Sequence, residues 1–221
     1  MAVFALAHMS CAGAWAWGTV PELLRAAGHE VVAPDLSLHA GVTPGDHAAA
    51  LAATVGPRPI GSVVVVGHSY GGLVAPVAAE LLGDAAAALV VIDGFVIEDG
   101  ESAFSVHPHR VAGRRAEAEA RGDGMWTAGD PPAFAPEWFE RLTPMPISAF
   151  EAPVVLDGRA ARLPSWFVHC VGEDFAGQAE RARARGWTVI DVESPHAFPL
   201  VHPATCAEVL DGIARSVRPD P

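Results

Sequence analysis

The stretch VVVVGHSYGG, residues 63–72, limits the fold more than any other part of the chain. Four β-branched valines in a row favour extended backbone and leave the strand no polar face. Such a strand must be covered on both sides, as in a parallel sheet sandwiched between helices. The turn that follows, Gly67-His68-Ser69-Tyr70-Gly71, has the pattern G-x-S-x-G, and GGLVAPVAAELLG (71–83) reads as a helix closed by Gly83. A serine in so tight a strand–turn–helix is held in a strained conformation, with its hydroxyl exposed at the carboxyl edge of the sheet. The free N–H groups of the helix's first turn point at the same place. A serine that only capped a helix would not need a glycine two residues to either side.

The remaining chain repeats the strand–helix alternation. Apolar runs at 2–8, 29–36, 62–68, 87–95, 165–174 and 187–194 read as strands. Helical patterns occupy 21–30, 46–56, 71–83, 176–186 and about 203–217. The expectation is an α/β fold of one domain over 1–221: a mostly parallel sheet of about six strands, right-handed crossovers and helices on both faces. Residues 95–160 break the rhythm with Pro, Gly and aromatics, which is the composition of a lid rather than a plain connector. Phe95, Trp126, Phe134 and Trp138 are its candidate pocket walls.

Composition removes several function classes. A net charge of −12 opposes nucleic acid and anionic membrane surfaces. No apolar run reaches the roughly 18 residues of a membrane helix. The N-terminal MAVFALAHMS lacks a basic leader region and reads as a strand, so the cytoplasm is the expected compartment. Cys11, Cys170 and Cys206 form no CxxC and are expected as buried thiols. All 14 basic residues are arginine, so no lysine exists for a Schiff base or a P-loop. His107 and His109 share an HPH segment with no companion ligand, and neither metal nor cofactor is expected.

A serine hydroxyl needs a base, and the base an orienting acid, arriving in chain order Ser, acid, His at sites of this kind. His196, in ESPHAFPLVHP after the last strand, emerges at the same sheet edge as Ser69. His202 precedes a proline and starts the final helix, and His68 points away from its neighbour. For the acid, FVHCVGEDFAG offers Glu173 and Asp174, with Asp174 preferred; Asp93, ending LVVID, is a second position. Oxyanion donors are expected from the backbone of Tyr70 and, in the loop after the first strand, of Ser10.

HMSCAGAWAWGTVPELLRAAGHEVVAPDL followed by GHSYGG, with ISAFEAP, GED and PHAF further on, resembles the small α/β-hydrolases related to plant methyl esterases and hydroxynitrile lyases, in their bacterial branch. The resemblance implies an α/β-hydrolase fold, Asp174 as acid and His196 as base, a cap over an apolar pocket, and often a homodimer. Two positions depart from the pattern. Met9 stands where the esterases have Gly; it would intrude on the acyl side and, at positive φ, would cost about 1–2 kcal/mol. Ala197 follows His196 where the hydroxynitrile lyases carry a Lys for departing cyanide, which disfavours cyanohydrin cleavage. The expected activity is hydrolysis of a small or medium apolar carboxylic ester through an acyl-enzyme, with Met9, Phe95 and Trp126 against the substrate. The alternatives are a lyase or cyclase using His196 as base, and a ligand-binding module with a vestigial triad.

Overall fold

The computed structural model of the chain describes residues 1–129, 137–172 and 174–217. Within the strand Val63–His68 the two-residue period sorts the valines. Val63 and Val65 join one apolar cluster, and Val64 and Val66 join another on the opposite face. The neighbouring strands divide in the same way, so the sheet has a buried core on each side, as the all-apolar runs require.

The elements follow in the order β1 (Val3–Ala7), α1 (Val20–Ala26), β2 (Glu30–Val32), α2 (Pro44–Val55), β3 (Val63–His68), α3 (Gly71–Leu82) and β4 (Ala86–Ile92). An excursion then carries α4 (Ala103–Val106), α5 (Pro108–Arg121), β5 (Met125–Trp126), β6 (Met145–Pro146) and α6 (Ser148–Glu151). The chain returns through β7 (Ser165–Cys170), α7 (Ala176–Ala184), β8 (Thr188–Val192), α8 (Phe198–Val201) and α9 (Pro203–Ser216). Six strands form one parallel sheet in the order β2-β1-β3-β4-β7-β8, and β5 and β6 pair antiparallel by themselves. Leu51 of α2, Leu73 of α3 and Ala179 of α7 cover one face. Leu24 of α1 and Leu210 of α9 cover the other.

The strand order reverses between β1 and β3, which opens a crevice at their carboxyl ends, where open α/β sheets bind ligands. Ser69 follows β3 and the loop 8–13 follows β1, so both stand at that crevice. The second strand is shorter than the apolar run suggested. After Val32 the chain leaves the sheet, and Pro34 has no N–H for a ladder. Asp35 then accepts a hydrogen bond from the Ala14 N–H (2.6 Å), and the Leu36 N–H donates to His8 Nε2 (3.0 Å). These residues brace the loop after β1 instead of extending β2. Gly13 is required there, because a Cβ would lie 2.4 Å from Asp35 Oδ1.

Candidate active site

The turn after β3 folds as its glycines dictate. A Cβ on Gly67 would sit 2.1 Å from the Gly71 carbonyl oxygen, and one on Gly71 would sit 2.2 Å from that of Ala7. No side chain fits either contact, so the start of α3 lies directly on the ends of β3 and β1. Ser69 has φ of +56°, the left-handed region that a non-glycine residue occupies at a cost. Its amide donates to Ile92 O (2.9 Å), and its carbonyl accepts from Gly72 N (3.0 Å). The strain is thus held by backbone bonds on both sides.

The His196 imidazole bridges two side chains. Its Nε2 lies 2.9 Å from Ser69 Oγ, and its Nδ1 lies 2.5 Å from Asp93 Oδ2. Asp93 ends β4, is wholly buried, and has φ of +38°. Its other oxygen accepts from the Cys170 N–H (3.2 Å), so both carboxylate oxygens have donors in a place water does not reach. A carboxylate only accepts; Nδ1 therefore carries the imidazole proton, and Nε2 is left to accept from the serine hydroxyl.

The acid expected at Asp174 is corrected by this geometry. Asp174 is exposed, and its main-chain carbonyl accepts from His107 Nε2 (3.3 Å). Adjacent residues in the turn after β7 face opposite ways, and the one turned inward is Phe175. Its ring is buried and stacks on His196 at 5.3 Å with 9° between planes. The segment GEDF thus delivers its aromatic ring to the imidazole rather than its carboxylate. Glu173 lies outside the described residues. Asp93 carried a legible signal: a carboxylate closing an otherwise apolar strand, followed by a glycine. A Cβ on that Gly94 would meet the Ser69 carbonyl oxygen at 2.4 Å, so strand β4 must end directly beneath the turn that carries Ser69.

The loop after β1 is held from beneath by His8. The Leu36 N–H donates to its Nε2, so the proton is on Nδ1, which donates to the Met9 carbonyl (2.8 Å). Burial lowers the His8 pKa to about 4, so the ring stays neutral and the tautomer fixed. The left-handed residue of this loop is Cys11, with φ of +58°; Met9 is not among the positive-φ residues, and the backbone cost expected there does not arise. Burial raises the Cys11 thiol to about 12, which removes it as a nucleophile. No acceptor among the described residues takes the N–H of Ser10 or Tyr70. The Tyr70 hydroxyl donates to His47 Nδ1 (2.7 Å), and His47 Nε2 donates to the Ser37 carbonyl (2.6 Å).

The pocket residues divide. Met9 is buried in a cluster with Ala12 and Ala16, and against that cluster pack Trp15, Trp138 and Leu142 of the excursion, and Leu200 just beyond His196. Phe95 and Trp126 belong to the core: Phe95 contacts Phe150 and Phe175, and Trp126 lies edge-on to Phe150 (5.3 Å) under the Arg114 guanidinium (4.3 Å). A cavity of about 380 Å³ behind α3 is lined by Gly72, Pro76, Leu89, Phe95, Leu156 and Trp187 among others, and neither Ser69 nor His196 borders it. Phe134 lies outside the described residues. No cluster of His, Cys, Asp and Glu that could hold a metal occurs among the described residues.

The alpha/beta hydrolase family model matches residues 5–209. The chain belongs to this family. Over 242 residues it is 25% identical to a carbendazim hydrolyzing esterase of Nocardioides sp. (strain SG-4G), covering 95% of this chain and 98% of that one. It is 36% identical to Methylesterase 8 of Arabidopsis thaliana over 103 residues, which are 42% of this chain and 38% of the plant protein. Among solved structures it is similar to an extracellular alpha/beta-hydrolase from a Paenibacillus species, described as sharing structural and functional homology with tobacco salicylic acid binding protein 2. That match has a TM-score of 0.83 at 19% identity and covers 96% of this chain and 98% of the other, a likeness of fold. This alpha/beta hydrolase is an esterase-like enzyme, and among its described residues no helix is long and apolar enough to cross a membrane.

Proposed function

We propose that this alpha/beta hydrolase cleaves small or medium apolar carboxylic esters, with Ser69 as nucleophile, His196 as general base and Asp93 as the orienting acid. The observation that carries the reading is the His196 bridge, 2.9 Å to the Ser69 hydroxyl and 2.5 Å to the Asp93 carboxylate. As Ser69 Oγ attacks the ester carbonyl, its proton moves to His196 Nε2, and the buried Asp93 carboxylate stabilises the resulting imidazolium. Charge develops on the carbonyl oxygen. The Ser10 and Tyr70 N–H groups supply its donors; Gly71 packed on Ala7 brings their two loops together. Collapse of the tetrahedral intermediate returns the proton from Nε2 to the departing alkoxide, and the alcohol leaves. Water, deprotonated by the same imidazole, then releases the acid.

The excursion serves as the lid. Its Thr143 N–H donates to the Cys11 carbonyl (2.8 Å), and Trp138 and Leu142 pack on the cluster of Met9, Ala12 and Ala16. The lid is thus tied to the proposed oxyanion loop, and the group nearest the scissile carbonyl meets an apolar wall that includes Met9.

The test is hydrolysis of p-nitrophenyl esters from acetate to octanoate by wild type and Ser69→Ala. The expected loss in kcat is on the order of 10⁶. Ser69→Ala that still turns over at more than a tenth of the wild-type rate would refute the nucleophile.

A further inference from the structure

His68 is the member of the nucleophile turn that the proposed chemistry leaves unused. Its imidazole is buried, with Trp17 edge-on at 6.1 Å and the His196 ring tilted against it at 5.2 Å. Its Nε2 lies 2.8 Å from the main-chain carbonyl of His196. A carbonyl can only accept, so Nε2 carries the proton and donates. Burial lowers the ring's pKa to about 3, so at neutral pH the ring is uncharged and its Nε2–H donor is in place.

The bond has a geometric consequence. Asp93 and Ser69 hold the two ring nitrogens of His196, and Phe175 covers one ring face. None of these restrains the main chain that carries the ring, and His196 sits between β8 and α8 outside any regular element. The His68 bond fixes that peptide plane. Because His68 and Ser69 are consecutive on one strained turn, the anchor of the base and the nucleophile then move as one unit.

We infer that His68 is a positioning residue for the hydrolysis: its Nε2–H holds the His196 main chain so that His196 Nε2 stays within reach of the Ser69 hydroxyl. The inference rests on the reading of Ser69 as nucleophile and His196 as base, and it concerns the proton-transfer geometry rather than substrate binding.

The experiment compares wild type, His68→Phe, His68→Gln and His196→Ala in steady-state hydrolysis of p-nitrophenyl acetate, with rates divided by the active sites titrated to endpoint with a fluorophosphonate. Phe keeps a ring of similar volume and removes the donor. Gln places an amide N–H near the position of Nε2. His68→Phe is expected to lower kcat per titrated site roughly 10- to 100-fold with KM changed less than about 3-fold, the pattern of a misplaced base. His68→Gln is expected to restore most of the loss. Two results would overturn the inference: a wild-type kcat per site in His68→Phe, with damage confined to fewer active sites or a lower Tm, or a Gln variant no better than Phe. The control separates the two levels of the argument. Full activity in His196→Ala overturns the reading of the base itself, whereas an inactive His196→Ala beside a fully active His68→Phe overturns only the role of His68.

Discussion

Asp93→Asn is the substitution that bears most directly on the site. Asn keeps the side-chain shape, and its carbonyl oxygen can still accept from the Cys170 N–H, now at 3.2 Å. What changes is the group facing His196 Nδ1 across 2.5 Å. An amide NH₂ there donates, so Nδ1 must become the acceptor and the imidazole proton moves to Nε2. In that tautomer Nε2 faces the Ser69 hydroxyl with a hydrogen of its own and cannot take the serine proton. A tautomer reversal of this kind costs on the order of 10⁴ in kcat, or about 5.5 kcal/mol of barrier. Asp174→Asn alters an exposed carboxylate in the turn after β7 and should change kcat by less than about 3-fold, since water screens charge at the surface. The assay is kcat for p-nitrophenyl acetate in both variants, with near-ultraviolet circular dichroism to confirm that each is folded. A folded Asp93→Asn of nearly wild-type activity beside a crippled Asp174→Asn would refute the assignment, and would mean that His196 meets a different carboxylate during turnover.

Two further outcomes follow from the buried groups. His8 and His68 are held neutral by burial, with pKa values lowered from 6.5 to about 4 and about 3. In the unfolded chain each binds a proton below about 6.5, so the unfolded state takes up more protons and stability falls as pH drops through that value. The contribution of each ring is intact above pH 6.5 and is reduced by about 2 kcal/mol at pH 5. Urea unfolding at pH 7.5 and pH 5.0 measures the difference, and equal stability at the two would contradict the burial argument. Met9→Ala should cost roughly 2 kcal/mol by opening the cluster with Trp138, Leu142 and Leu200, and should extend ester preference toward longer acyl chains. An unchanged acyl-length profile would remove Met9 from the pocket wall.

Much of this protein was determined by local sequence alone. Four valines without a polar partner require a strand buried on both faces, and period-2 alternation sends Val63 and Val65 one way and Val64 and Val66 the other. The G-x-S-x-G pattern marked the turn that carries Ser69; Gly67 is demanded by a contact inside that turn, with the Gly71 carbonyl oxygen, whereas Gly71 is demanded by the Ala7 carbonyl oxygen at the end of β1. The approach of His196 to Ser69 was legible because a loop leaving the last parallel strand must emerge at the edge where Ser69 stands.

Which carboxylate faces His196 was decided only by tertiary structure. Asp93 and Asp174 both follow parallel strands, at β4 and β7, and both therefore reach the correct edge. Which of them meets the imidazole depends on side-chain direction after each strand ends. Asp93 turns inward through a positive φ and finds a second donor in the Cys170 N–H of the neighbouring strand, while Phe175 takes the inward place that Asp174 leaves. The absence of strain at Met9 and the tie from His68 to the His196 carbonyl were hidden for the same reason. Each depends on backbone direction in a loop or on a partner more than a hundred residues away, and neither is encoded by the periodicity of any one segment.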